Sequence, residues 1–183
     1  IGKALENSAN VFGENEALVF CPSNLRMTYQ QLNNAANEFA AGLLKIGLKP
    51  GDRLGIWSPN RPEWVVTQFA TAKIGVILVN INPAYRISEL EHALNQVQCK
   101  ALVSAETFKS SNYVEMIQSL APELKDSSPG NLKSRRLPSL KHIIVMSDQL
   151  VPGTSQYKDI SIQADNEILR TLAEIEDTLD PDQ

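Results

Sequence analysis

The apolar positions of this chain recur with two periods. Between residues 28 and 46, Leu32, Ala36, Phe39, Leu43 and Ile46 follow one another at spacings of three and four, the stripe of a helix that buries one face. Thr28 and Gln31 form a T-x-x-Q capping box ahead of that stripe, in which each side chain satisfies a backbone N–H left free by the first turn. Gly47 can take the left-handed conformation that closes a helix, and Pro50 blocks its continuation. Residues 1–12 carry a similar stripe of Ile1, Leu5, Ala9 and Phe12, with Gly13 as the stop. Between these helices two short runs, Ala17–Phe20 and Leu25–Thr28, flank Cys21 and the turn-forming Pro22-Ser23-Asn24. That arrangement predicts a β-hairpin with a four-residue loop.

After the helix the pattern shortens. Arg53–Ser58 is a compact strand candidate. Asn60-x-x-Glu63 predicts the next helix start, with Pro62 in the first turn, where a missing N–H is harmless. Replacing Asn60 by Ala should then cost about 1 kcal/mol through the lost cap. Trp64, Val65, Phe69 and Ala72 are the expected buried stripe, and Gly75 ends the helix. Val76–Ile81 (VILVNI) reads as a strand covered on both faces. Ser88-x-x-Glu91 opens a further helix carrying Leu90, Leu94 and Val97, and Ala101–Ser104 is the next strand. Residues 111–121 predict another helix, burying Val114, Ile117 and Leu120, with Pro122 just after it. The segment 122–139 reads as a polar connection, Lys141–Met146 as a buried strand, 148–160 as irregular, 165–176 as a weaker helix with Ile168, Leu172 and Ile175, and DPDQ as a polar tail. Alternating helices and buried strands point to an α/β fold with a helix-covered, mainly parallel sheet and a β-hairpin near the N-terminus. Lys-Ile-Gly occurs at 45–47 and again at 73–75, each time closing a helix.

Composition narrows the function classes. The formal net charge of −4 provides no broad attraction to nucleic acid or an anionic membrane, so no nucleic-acid partner is expected. The basic run Lys133–Arg136 (KSRR) reads as a solvated loop. Cys21 and Cys99 are distant and belong to no CxxC pair, which argues against a disulfide framework or a thiolate metal site and favours a reducing compartment. No apolar stretch approaches the roughly 20 residues of a membrane-spanning helix. The chain begins at Ile1 rather than Met, so an N-terminal segment is expected to have been removed or left out.

Candidate chemistry is sparse. Neither G-x-G-x-x-G nor G-x-x-x-x-G-K-[ST] occurs, and the nine glycines are scattered rather than gathered into a phosphate cradle. His92 and His142 have no partner at metal-ligand spacing and read as structural or surface residues. Glu89 and Glu91 fall on different helix faces and make a poor acid–base pair. Asp52 beside Arg53 reads as a turn cap and an ion pair. Trp64 and Phe69 read as core, while the face of Trp57 is open. No G-x-S-x-G elbow is present. Tyr85 and Arg86, in the loop NPAYRISEL between a strand end and a helix start, are the best candidates for a substrate contact, because α/β proteins bind ligands there. No catalytic, cofactor-binding or metal residue is assigned.

Two stretches read together change the picture: RMTYQQLNNAANEFAAGLLKIGLKPGDRLGIWSPNRPEWV, then KIGVILVNINPAYRISELEHALNQVQCKALV. The order T-Y-x-x-L, G-L-x-x-G-D-R, N-x-x-E-W and N-P-x-Y-x-x-x-E-L resembles the N-terminal region of acyl-CoA synthetases of the adenylate-forming, luciferase-like superfamily. The later PGNLKSRRLPSLKHIIV is similar to their mitochondrial medium-chain branch. The resemblance covers nearly the whole chain. It implies the N-terminal part of that fold, with residues 1–27 as a helix and hairpin, 28–147 as an α/β layer and 148–183 as a connection toward a phosphate loop. For the parent enzyme it implies ATP, Mg2+ and coenzyme A, a medium-chain fatty acid substrate, further N- and C-terminal domains of the same chain, and a mitochondrial location without a transit peptide in this chain. The family's T-S-G-T-T-G-x-P-K-G loop, nucleotide contacts, acidic metal ligand and catalytic lysine have no matching positions here. The chain is therefore expected to be an inactive N-terminal piece, binding no cofactor tightly, with an open sheet edge and exposed apolar surface. A short isoform acting as an interaction module is the alternative, and a doubly wound oxidoreductase is disfavoured by the missing glycine fingerprint.

Overall fold

The computed structural model describes residues 1–161 and 166–179, and the polar tail 180–183 lies outside the described residues. In chain order the elements are α1 (Gly2–Phe12), β1 (Glu16–Phe20), β2 (Leu25–Thr28), α2 (Tyr29–Lys45), β3 (Arg53–Trp57), α3 (Pro62–Lys73), β4 (Ile77–Ile81), α4 (Ile87–Gln96), β5 (Ala101–Ala105), β6 (Thr107–Phe108), β7 (Ser111–Asn112), α5 (Tyr113–Leu120), β8 (His142–Met146), β9 (Ser155–Gln156), α6 (Tyr157–Ile160) and α7 (Asn166–Thr178). They form two compact units. One holds residues 1–51, 60–77 and the described part of 161–183; the other holds 52–59 and 78–160.

The first unit is helical with a hairpin attached. α1 buries Leu5 and Ala9, as its stripe predicts, but Ile1 and Phe12 are 75% and 53% exposed. The periodicity simply runs past the stretch that α2 and α3 cover. β1 and β2 pair antiparallel around Cys21–Asn24, with Asn24 left-handed at φ 52°. The capping box of α2 is formed: the Thr28 hydroxyl accepts from the Gln31 N–H at 3.2 Å, and the Gln31 side chain accepts from the Thr28 N–H at 2.9 Å. Leu32, Ala36, Phe39 and Leu43 are buried. Gly47 and Gly75 both close their helices at positive φ, 89° and 65°.

α3 departs from its sequence reading twice. Its N-cap is Arg61, not Asn60, and no side chain caps it. A proline pushes the residue before it into extended backbone, and Arg61 is so placed (φ −147°, ψ 157°), which makes Pro62 the first helical residue. Asn60 is exposed and one position too early. Thr28→Ala should therefore cost about 1 kcal/mol, while Asn60→Ala should stay within about 0.5 kcal/mol of the parent, as read from urea unfolding midpoints. The buried face of α3 is Val66, Thr67, Ala70, Thr71 and Lys73, and Trp64, Val65, Phe69 and Ala72 are only partly buried. The Thr67 and Thr71 hydroxyls donate back to the carbonyls of Glu63 (2.6 Å) and Thr67 (2.9 Å), so their burial strands no donor.

The second unit is built on a five-stranded sheet of order β4-β3-β5-β8-β9. β3, β5, β8 and β9 run parallel, with Leu54 opposite Ala101, Ala101 opposite His142 and Ile144 opposite Ser155. Every residue of the central strand β5 is buried. On one face Trp57, Leu102, Ile143 and Val145 pack with Leu90 and Leu94 of α4 and Met116, Ile117 and Leu120 of α5.

β4 is an edge strand with Ile77 54% exposed, not a strand covered on both faces. Its nearly continuous apolar run hides the difference, since period alone does not place a strand within a sheet. Residues 148–160 contain β9 and α6 rather than irregular chain. The connection 122–139 is packed, with Leu124, Leu132 and Leu137 buried in the core. Their spacing follows no period, which is why the stretch reads as polar.

Local starts differ too. α4 is capped at Arg86, whose N–H donates to the Glu89 carboxylate at 3.1 Å, and the Ser88 hydroxyl donates to the same oxygen. Glu91 is instead drawn to Arg136. α5 begins at Tyr113, with Asn112 Oδ1 accepting from the Glu115 N–H at 3.1 Å, and Tyr113 rather than Val114 is fully buried.

Candidate functional site

β3 and β5 are parallel, so Trp57 and Glu106 stand at neighbouring strand ends, and Asn82 follows the end of β4. The Trp57 ring lies flat on Tyr113 of α5, with centroids 3.6 Å apart and planes 8° from parallel. Trp57 Nε1–H donates to the Asn82 carbonyl at 3.1 Å, and the Tyr113 hydroxyl donates to the Pro83 carbonyl. The Tyr113 N–H donates to the Glu106 carbonyl at 3.0 Å. Two buried aromatics thus hold the loop after β4 by its backbone, and Phe108 of the β6–β7 hairpin leans on Tyr113 with centroids 6.5 Å apart.

The loop is also closed on itself. Asn82 Oδ1 accepts from the Ala84 N–H at 2.9 Å, and the Asn82 carbonyl accepts from the Tyr85 N–H at 3.0 Å. With Arg86 bonded to Glu89, three successive backbone donors are committed. This loop cannot cradle a phosphate, which needs such donors free. It presents Tyr85, 37% exposed, over a shallow depression of about 280 Å³ lined also by Ser88, Glu89, His92 and Ala93. The Arg86 guanidinium donates to Ser111 Oγ at 2.7 Å and so ties the loop to the β6–β7 hairpin.

The electrostatics describe a scaffold. Burial pushes the Tyr113 phenol up to about 12, which keeps it a neutral donor. The Glu89 carboxyl is held below its ordinary range, first by its own N–H and then by that of Arg86. Among the described residues no group of three or more His, Cys, Asp or Glu side chains is placed to hold a metal ion. The arrangement offers an aromatic wall and a rigid loop, and it can position and shield a neighbouring group.

The other residues singled out from sequence lie elsewhere. Asp52 pairs with Lys100 at 2.7 Å. Arg53 reaches across to the carbonyl of Val97 at 2.7 Å, because its strand places it beside the end of α4. Half-buried His142 sits at the start of β8, its pKa lowered by burial and then by Lys100, against the pull of Asp52. Cys99 is buried and its thiol pushed up to about 11, and Cys21 is exposed. In the KSRR run only Lys133 and Arg135 read as a solvated loop: Ser134 is buried and Arg136 is bonded to Glu91. Sequence reasoning named Tyr85 and Arg86 but missed the Trp57–Tyr113 stack that fixes them. The burial of Tyr113 has a local signal, since it stands four residues before Ile117 on the same helical stripe, but its pairing with Trp57 has none.

Residues 5–165 match the family of AMP-binding enzymes. The mitochondrial medium-chain acyl-CoA ligase ACSF2 of Danio rerio is 41% identical over 179 residues, 98% of this chain and 29% of that protein. Its Homo sapiens counterpart is 46% identical over 154 residues, 84% of this chain and 25% of that protein. The chain thus spans less than a third of the length of these relatives. Among solved structures, the N-terminal domain of FACL13 from Mycobacterium tuberculosis superposes with a TM-score of 0.70, covering 91% of this chain and 37% of that one at 22% identity, a likeness of fold alone.

Proposed function

Because this chain belongs to the AMP-binding enzyme family, we propose that it is the N-terminal portion of an ATP-dependent medium-chain fatty acid–CoA ligase, acting in mitochondria. The observation that carries this reading is the 41% identity to a mitochondrial medium-chain ligase across 98% of the chain. The whole enzyme would join a fatty acid carboxylate to the α-phosphate of ATP with release of pyrophosphate, then exchange AMP for the coenzyme A thiolate, with Mg2+ accompanying the nucleotide.

Within that enzyme residues 1–183 act as a partial N-terminal domain and supply no catalytic, nucleotide or metal ligand. The committed backbone donors of residues 84–86 support this: they do not fit a triphosphate, and no step is assigned to them. The chain contributes a sheet whose strand ends are fixed by Trp57 and Tyr113. Alone, it has no ligase activity.

Sequencing the transcript across Gln183 tests the assignment. Continuation into a Thr/Ser/Gly-rich loop ending in Lys-Gly is the expected result. A stop codon directly after Gln183 would overturn it in favour of a short isoform that works as an interaction module.

A further inference from the structure

The last described helix belongs to the first unit but, among the described residues, buries few side chains in it. Among its described residues α7 buries Leu172 and Glu176, 4% and 7% exposed, while Leu169 is 40% exposed and Ile168 and Ile175 are partly covered. Leu179, just past the helix, rests against Gly75. One of the two buried groups is a carboxylate, and its partner is equally unusual: Lys73 of α3, 2% exposed.

The contact between them is loose. Lys73 Nζ stands 3.5 Å from Glu176 Oε1, a long contact, and among the described residues that oxygen has no better hydrogen-bond partner. Gly2 of α1 floors the site: a Cβ there would stand 2.3 Å from Glu176 Oε1 and 2.9 Å from Lys73 Cγ. Three helices therefore converge on one carboxylate. Two charges have left water for a single poorly aligned contact, and desolvation of that kind is offset only when geometry and further hydrogen bonds are good. Burial pushes the Glu176 carboxyl up; Lys73 opposes it, Glu6 of α1 adds to it and Lys3 of α1 opposes it weakly. The outer pair Lys3–Asp177, 3.0 Å apart, is exposed on both sides and contributes little.

We propose that α7 is a releasable strap, fastened through Lys73 and Glu176, which lifts away while α1, α2 and α3 remain folded. On opening, both charges regain their hydration, so the cost of release is far below that of parting an apolar pair of the same size. The elements of a fold that open first are those with few buried apolar contacts, and α7 fits that description where α2, with Leu32, Ala36, Phe39 and Leu43 buried, does not.

Hydrogen exchange followed by mass spectrometry on the intact protein tests this. In the parent, amides of α7 should exchange at least about a hundredfold faster than those of α2. Lys73→Met alone strands the carboxylate and should speed α7 further. Lys73→Met together with Glu176→Leu replaces the pair by apolar groups and should slow α7 at least about tenfold, with α2 unchanged. Equal protection of α7 and α2 in the parent would overturn the proposal. So would a double variant whose α7 exchanges no more slowly than the parent's.

Discussion

Trp57→Ala should destabilise the second unit by about 3–5 kcal/mol, the range for deleting a large buried aromatic. Trp57 is fully buried and stacked on Tyr113, and its Nε1–H serves the Asn82 carbonyl. Alanine would leave a cavity beneath Tyr113, an unmatched carbonyl, and a loop after β4 freed from one of its two aromatic anchors. The sites of damage separate the causes. Trp57→Phe keeps the stack and most of the volume but loses the donor, and should cost about 1–3 kcal/mol. Denaturant unfolding monitored by circular dichroism reads both values. If Trp57→Ala unfolds at the parental midpoint, the stack is not an anchor.

Gly153→Ala should be nearly as severe, at about 3–4 kcal/mol. Gly153 has φ of 76°, which any side chain resists. A Cβ there would also stand 2.1 Å from the Leu124 carbonyl oxygen, a backbone atom that cannot step aside as a flexible side chain can. Gly47 isolates the first effect. Its φ is 89°, but among the described residues, its chain neighbours aside, nothing lies within 4 Å of its would-be Cβ, so Gly47→Ala should cost only the conformational part, about 1–2 kcal/mol. Equal melting losses in the two variants would show that the close approach at Leu124 is not real.

The elements the sequence predicts well are those whose signals are local. The T-x-x-Q box, the Lys-Ile-Gly stops and the hairpin turn each satisfy or free backbone groups within a few residues, and all three form. Readings failed where a neighbour decides. Pro62 moved the start of α3 off Asn60 by restricting Arg61. Packing in the first unit buries the threonine face of α3 rather than its tryptophan and phenylalanine. Arg136 drew Glu91 away from the capping role given to it, while Glu89 took that role. β4 reads as an interior strand from composition but lies at the sheet edge, because strand order is set by pairing across the chain. The candidate site divides the same way. Tyr85 and Arg86 are visible from their place between a strand and a helix. The Trp57–Tyr113 stack joins residues 56 positions apart, which no local pattern reports.

We propose that this chain carries the scaffold of an acyl-CoA ligase and none of its chemistry. ATP–pyrophosphate exchange driven by octanoate, in the presence of Mg2+, tests it directly. The isolated 183-residue chain should give no exchange above background. Measurable octanoate-dependent exchange by that chain alone would overturn this proposal.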